Sequence, residues 1–276
     1  ASSFFSENTF ASLLVKTREG RPILLSSNHK NKYGGGINAR CQASVLSLYD
    51  SNRLKGPLED SVETSWSNID IKIKQKLKDS NKKIVLVSST IISPSVKQIL
   101  KDFKKSYKNF NHITYDTLSK DSILSSNQKV FNKRFIPTYR FDKADCIVSF
   151  SADFLNEWLD PAHSRQYTSN RKPENGKMSR HYQFESLLSV TGANADKRFP
   201  IKPSQQSEYI LRLYDILLSL SNKKSFNTNN TNHDKQLVSI ANELLANKGK
   251  SLVVSGSDNK IVQEIVTRIN ILLKNY

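Results

Sequence analysis

The sequence has no apolar run of about eighteen residues or more, so no helix in these 276 residues is expected to span a bilayer. Its two cysteines, Cys41 and Cys146, are too few for a disulfide scaffold or a four-thiolate cluster. Both are expected to be reduced, with Cys146, inside an apolar run, as a small core residue. Met178 is the only methionine, and the opening ASSFFSENTF lacks a basic n-region and an apolar h-region. The chain is therefore read as processed, trimmed or cut from something larger, with no visible targeting signal. Gly34-Gly35-Gly36 lacks GxGxxG spacing and is expected to be a turn. The five histidines (His29, His112, His163, His181 and His233) show no HxxxH or HExxH spacing, so no metal site is expected from them. Ser255-Gly256-Ser257 is no GxSxG elbow and reads as a strand end. Asp142, Asp145 and Asp153 flank a strand and read as caps and turns before acid–base catalysts.

Acidic residues are also scarce. Lys and Arg number 42 against 25 Asp and Glu, giving a formal charge of +17. Such an excess raises the question of nucleic acid. However, lysines such as Lys72, Lys74, Lys76 and Lys78 are scattered on helix faces and not interleaved with stacking aromatics. No nucleic-acid partner is expected; an acidic partner subunit or an anionic membrane surface stays open.

What is present is periodic. SLLVKTREGRPILLSS predicts a β-hairpin turning at Gly20. Asn38 to Asp50 predicts a helix with Ala43, Leu46 and Tyr49 on one face. Residues 1–60 are read as a small β-rich N-terminal unit and 61–276 as an α/β domain. In the second part, Ile69, Ile73 and Leu77 predict a helix and Lys83–Val87 a strand. Ser93-Pro94 predicts a capped start to a helix with an apolar stripe of Val96, Ile99, Leu100, Phe103 and Tyr107. A strand over His112–Tyr115 and a helix over Ser119–Phe131 follow. Further strands are expected at Asp145–Phe150, Gln183–Val190 and Ser251–Ser255, the last after a helix closed by Gly249. Strands alternating with helices predict a doubly wound, mainly parallel sheet. SNKKSFNTNNTNH (221–233) reads as a flexible linker or exposed loop.

One segment, SRHYQFESLLSVTGANADKRFPIKP from Ser179 to Pro203, gathers Arg, His, Glu, Thr, Asn and Asp around a strand. It resembles the dimethyl-sulfoxide-reductase type of molybdopterin oxidoreductase. In that family a strand runs into a T-x-x-A-D-x-W-I-P-I-R-P-G-T-D pattern that helps hold the guanine dinucleotide of the pterin. Ala195-Asp196 and Pro200-Ile201-Lys202-Pro203 match it. VKTREGRPILLSSNHKNKYGGGINARCQASVLSLYDSNRLKGPL is similar to the family's opening unit, and FDKADCIV to its I-E-x-A-D-x-I-L strand. KTREGRPI, QASVLSLYD, RQY, KMSRHYQFES and SVTGANADKRFPIKP resemble one branch more closely: the large iron–sulfur subunit of bacterial alternative complex III. The resemblance covers nearly the whole chain. It implies a periplasm-facing subunit, peripheral on the inner membrane, of a quinol-oxidising respiratory complex. Its partners would be the other subunits and a C-terminal iron–sulfur part outside these residues.

The departures are as informative. The family's C-x2-C-x3-C run has no counterpart before Cys41, and Asn38 stands where its fourth cysteine falls. Tyr115-Asp116-Thr117-Leu118-Ser119 replaces the segment that carries the metal-binding Ser, Cys or Asp. Pro203-Ser204-Gln205-Gln206 replaces the guanine-reading P-G-T-D and lacks the Asp. The expectation is a pseudo-oxidoreductase scaffold with no cofactor and no catalytic or metal-binding residue. Its vestigial pterin crevice is expected at Ser149, Ser151, Arg180, Glu185, Thr191 and Asp196, with Asp196 structural. The alternatives are an active domain binding molybdopterin guanine dinucleotide and, on charge alone, a polyanion-binding module.

Overall fold

The computed structural model describes the chain except residues 7–8, 32–34, 79–81, 157 and 177. The amino-terminal unit is an antiparallel meander of β1 (Ser2–Ser6), β2 (Thr9–Arg18) and β3 (Arg21–Ser27). Glu19 and Gly20 join β2 to β3 with φ of 49° and 78°, so both central residues are left-handed, as the hairpin's twist requires. Strand β1 is not marked by the sequence pattern. Asn38 caps α1 (Ala39–Ala43) by accepting the Cys41 N–H at 2.9 Å. The helix expected to reach Asp50 instead tightens into a 3-10 turn over Ser44–Leu48, which leaves Leu46 and Tyr49 exposed. Cys41 is the residue that this segment buries, against Ala11, Leu13 and Leu25. Of the glycine run expected to turn, Gly34 lies outside the described residues, while Gly35 is buried.

A small hairpin, β4 (Leu58–Glu59) and β5 (Val62–Glu63), precedes α2 (Trp66–Leu77), which Ser65 caps. Strand β6 (Ile84–Ser88) runs parallel to β7 (Phe110–Thr114) through α3 (Pro94–Ser106). Ser93 accepts the Val96 N–H at 3.4 Å, and Pro94 takes the first helical position, as its fixed φ favours. The expected stripes are only partly covered. Phe103 meets Tyr107 and Phe110 ring to ring, whereas Ile99 on α3 and Trp66, Ile71 and Ile73 on α2 are exposed.

After α4 (Asp121–Phe131) come β8 (Cys146–Phe150), α5 (Ala162–Ser169), β9 (Arg180–Glu185), α6 (Val190–Ala193), β10 (Lys197–Pro200), α7 (Gln206–Leu220), α8 (Asp234–Ala246), β11 (Ser251–Ser255) and α9 (Lys260–Leu272). The four strands form a parallel sheet in the order β10-β9-β8-β11. The fold is mixed α/β, as expected, with the antiparallel unit at its start. Strands β8 and β11 are buried throughout, which accounts for their near-continuous apolar sequence. One face of the sheet packs Cys146, Val148, Phe150 and Phe184 against apolar residues of α7, α8 and α9. The other packs Ile147, Leu252 and Val254 against Phe141, Phe154 and Tyr167.

Two expectations change in detail. The strand expected at Gln183–Val190 lies at Arg180–Glu185, because Leu187 and Leu188 are 82% and 69% exposed and Ser189 caps α6. The segment 221–233 is irregular but anchored, since the buried Asp215 accepts the N–H groups of Phe226 at 2.5 Å and Thr228 at 2.9 Å. Among the described residues no helix is long and apolar enough to cross a membrane.

Candidate functional site

The chain steps outward from β8 to β9 to β10, then returns to place β11 on the opposite side of β8. This reversal makes a switch point at the carboxyl ends of β8 and β11, where open α/β sheets place their ligand crevice. Ser149 and Ser151 lie at that edge. The Ser149 hydroxyl donates to the Ala152 carbonyl at 3.2 Å. Ser151 has a positive φ of 53°, and its N–H reaches the Phe184 carbonyl at 2.8 Å.

The loops leaving β8 and β11 touch. Gly256 donates its N–H to the Phe150 carbonyl at 2.9 Å, and a Cβ on Gly256 would lie 2.2 Å from the Ser151 oxygen. Glycine is therefore required by the approach of two backbones, with no need for an unusual φ. Two amide side chains tie the same loops. Gln206 Nε2, at the start of α7, donates to the Phe150 carbonyl and Ser255 Oγ, both at 3.1 Å. Gln263 Nε2, on α9, donates to the Ser255 carbonyl at 2.9 Å and the Ser257 carbonyl at 2.7 Å.

Glu185 and Thr191 also lie at this edge, each in its own closed network. Glu185 is 2% exposed; its carboxylate accepts Ser189 Oγ at 2.6 Å, Arg198 Nε at 2.6 Å and Gln183 Nε2 at 3.0 Å. Burial pushes its pKa up, but these bonds outweigh it and hold the carboxyl below its usual range. Thr191 donates from Oγ1 to Asp153 at 2.6 Å and accepts the Leu155 N–H at 3.0 Å.

Arg180 and Asp196 are elsewhere. Arg180 opens β9 opposite Cys146, at the amino edge of the sheet, and faces Glu243 at 3.6 Å. The expectation that Arg180 lines one cleft with Ser149, Ser151, Glu185 and Thr191 is therefore corrected: strand direction sets it at the other edge. Asp196 precedes β10 at that same amino edge, accepting Arg171 Nη1 at 2.8 Å, Nη2 at 3.0 Å and the His181 N–H at 2.7 Å. Burial opposes its charge, yet Arg171 and the His181 N–H keep its pKa lowered.

A buried polar chain that residue pattern does not announce runs along one face of β9. His181 Nε2 lies 3.3 Å from Gln183 Oε1, and Gln183 donates to Glu185, while Tyr167 Oη stands 3.2 Å from His181 Nδ1. Burial drives the His181 pKa down to about 4, so the ring is neutral at pH 7. The alternation of His181, Gln183 and Glu185 with Tyr182 and Phe184 was the available signal; the polar face reads as solvent-exposed until α5 and α6 cover it.

Cys41 and Cys146 are free and buried, in separate apolar clusters, and burial raises both thiol pKa values. Among the described residues no three His, Cys, Asp or Glu side chains form a group that could hold a metal ion.

No family model matches the chain. It is 21% identical over 217 residues to the menaquinone reductase, molybdopterin-binding-like subunit, of Nitratidesulfovibrio vulgaris, covering 74% of this chain and 30% of that protein. That likeness supports a molybdopterin-oxidoreductase-like relationship at low identity. In fold the chain is similar to acetylene hydratase from Pelobacter acetylenicus, with a TM-score of 0.54 and 13% identity, over 98% of this chain and 38% of that one. It thus spans about a third of the length of each.

Proposed function

We propose that the chain is a molybdopterin-oxidoreductase-like domain retained as a scaffold within a multisubunit quinone-linked oxidoreductase, its ancestral ligand crevice closed by its own side chains. One observation carries this reading. Gln206 stands at the last position of the P-G-T-D-like turn, and its amide is bonded to Phe150 and Ser255 on both sides of the switch point. A dinucleotide entering there must break those bonds and part loops that already meet at Gly256 and Ser151. Buried polar groups left unpaired cost about 1–3 kcal/mol each. The residues present at the switch point therefore do not fit the pterin dinucleotide, and the thiols do not fit a cubane cluster.

The relative's name is that of one subunit of a menaquinone reductase, which supports partner subunits here. By the same reading the domain sits on the periplasmic side of the bacterial inner membrane, peripheral, in an assembly of the alternative complex III kind. Purification of the tagged natural protein under mild detergent tests this. Recovery in one assembly with quinone-linked electron-transfer subunits is expected, whereas a lone, stable subunit contradicts the proposal.

A further inference from the structure

A basic groove lies between α3 and β7 and shares no lining residue with the switch point. It has a volume of about 420 Å³, within the range of small-ligand sites. Lys97, Lys101 and Lys104, at i, i+4 and i+7 of α3, line one wall and so share a helix face. Leu100 lies between them on that face, and Phe110 supplies apolar surface from β7. His112 follows Phe110 by two residues, on the same side of β7.

The charged side chains that line the groove, Lys97, Lys101 and Lys104, are all cationic and suit an anion. His112 Nε2 lies 2.8 Å from the Ser88 hydroxyl, which also reaches the Ser89 carbonyl at 2.8 Å. Two carboxylates stand close by, each held by hydrogen bonds, Asp116 through the lining residue Thr90. Asp116 accepts the Thr90 N–H at 2.7 Å and also the Thr90 hydroxyl. Asp102 accepts Lys105 Nζ at 3.0 Å and Gln98 Nε2.

We propose that this groove binds a small organic anion, a carboxylate or phosphate monoester bearing an aromatic or short aliphatic group. Lys97, Lys101 and Lys104 meet its charge, and Leu100 and Phe110 meet its apolar part. Calorimetric titration of the full chain with phenyl phosphate, benzoate and inorganic phosphate tests the proposal. Saturable binding of one phenyl phosphate or benzoate per chain is expected, with inorganic phosphate weaker; the ratio of the two organic ligands identifies the preferred headgroup. Loss of three exposed ion pairs implies binding weaker by roughly 3- to 150-fold, with about tenfold expected, in Lys97→Gln/Lys101→Gln/Lys104→Gln. Leu100→Ser should weaken the organic anions and spare inorganic phosphate, and the control Lys74→Gln/Lys76→Gln on α2 should change neither. Lack of saturable binding, equal affinity in the triple variant, or inorganic phosphate binding as tightly as phenyl phosphate overturns it. The triple variant changes exposed side chains only, and its melting temperature serves as the check on folding.

Discussion

Arg171 grips Asp196 with two guanidinium nitrogens, at 2.8 and 3.0 Å, and holds that carboxylate where the His181 N–H also reaches it at 2.7 Å. The bend into β10 is thereby fastened to the start of β9 and to the end of α5. Asp196 acts as a clamp within the fold. The basic residue that neutralises it comes from across the loop and not from the adjacent Lys197 or Arg198.

Replacing Asp196 by Asn keeps the shape and removes the charge. Charge-assisted hydrogen bonds contribute about 1.5–3 kcal/mol, and the partly exposed Arg171 side chain can regain water, so a cost of about 1 kcal/mol is expected. The melting temperature should fall by about 2–4 °C. A variant that melts with the wild type removes the clamp from the account.

The acid limb of stability follows from the same group and from Glu185. Both carboxyls are held below their ordinary values in the fold. Their stabilisation is therefore complete above the unfolded pKa values of about 4 and lost as pH falls through the lower folded values. Denaturant midpoints measured between pH 7 and pH 3 should fall steeply only at the acid end. Glu185→Gln should flatten that fall, and an unchanged slope contradicts the assignment.

Glu185→Ala should be the more damaging substitution. It strands Arg198, Ser189 and Gln183 in a site where the carboxylate is 2% exposed, at a cost of about 3 kcal/mol. Urea unfolding of this variant beside Glu185→Gln measures it; a loss below about 1 kcal/mol contradicts the buried network.

Both thiols should be inert in the folded chain, because each is buried and its pKa raised. An aromatic disulfide reagent at pH 8 should titrate neither cysteine before unfolding and both after it. Rapid reaction of Cys41 in the native protein would show the hairpin core to be open.

Sequence pattern carries much of this architecture. The apolar runs of β8 and β11, the Ser93-Pro94 start of α3 and the Glu19-Gly20 turn each have one dominant local cause, and each is found. Where two causes compete, pattern misleads. Leu187 and Leu188 extend the apparent strand past Glu185, yet the Ser189 cap ends it and turns both leucines to solvent. The short α1 fails in the same way, its periodicity running on while the backbone tightens after Ala43. At the candidate site, Ser149, Ser151, Glu185 and Thr191 follow from their places near strand ends. Gln206 and Gln263 do not, because a glutamine amide has no spacing that signals the carbonyls it will find across a sheet edge.

Cofactor content of the natural protein tests the closed switch point most directly. Molybdenum and tungsten should be measured by elemental analysis, alongside pterin released by acid oxidation, on protein purified from its own cells. None of the three is expected in stoichiometric amount; about one molybdenum or tungsten per chain, accompanied by pterin, would contradict the closed switch point.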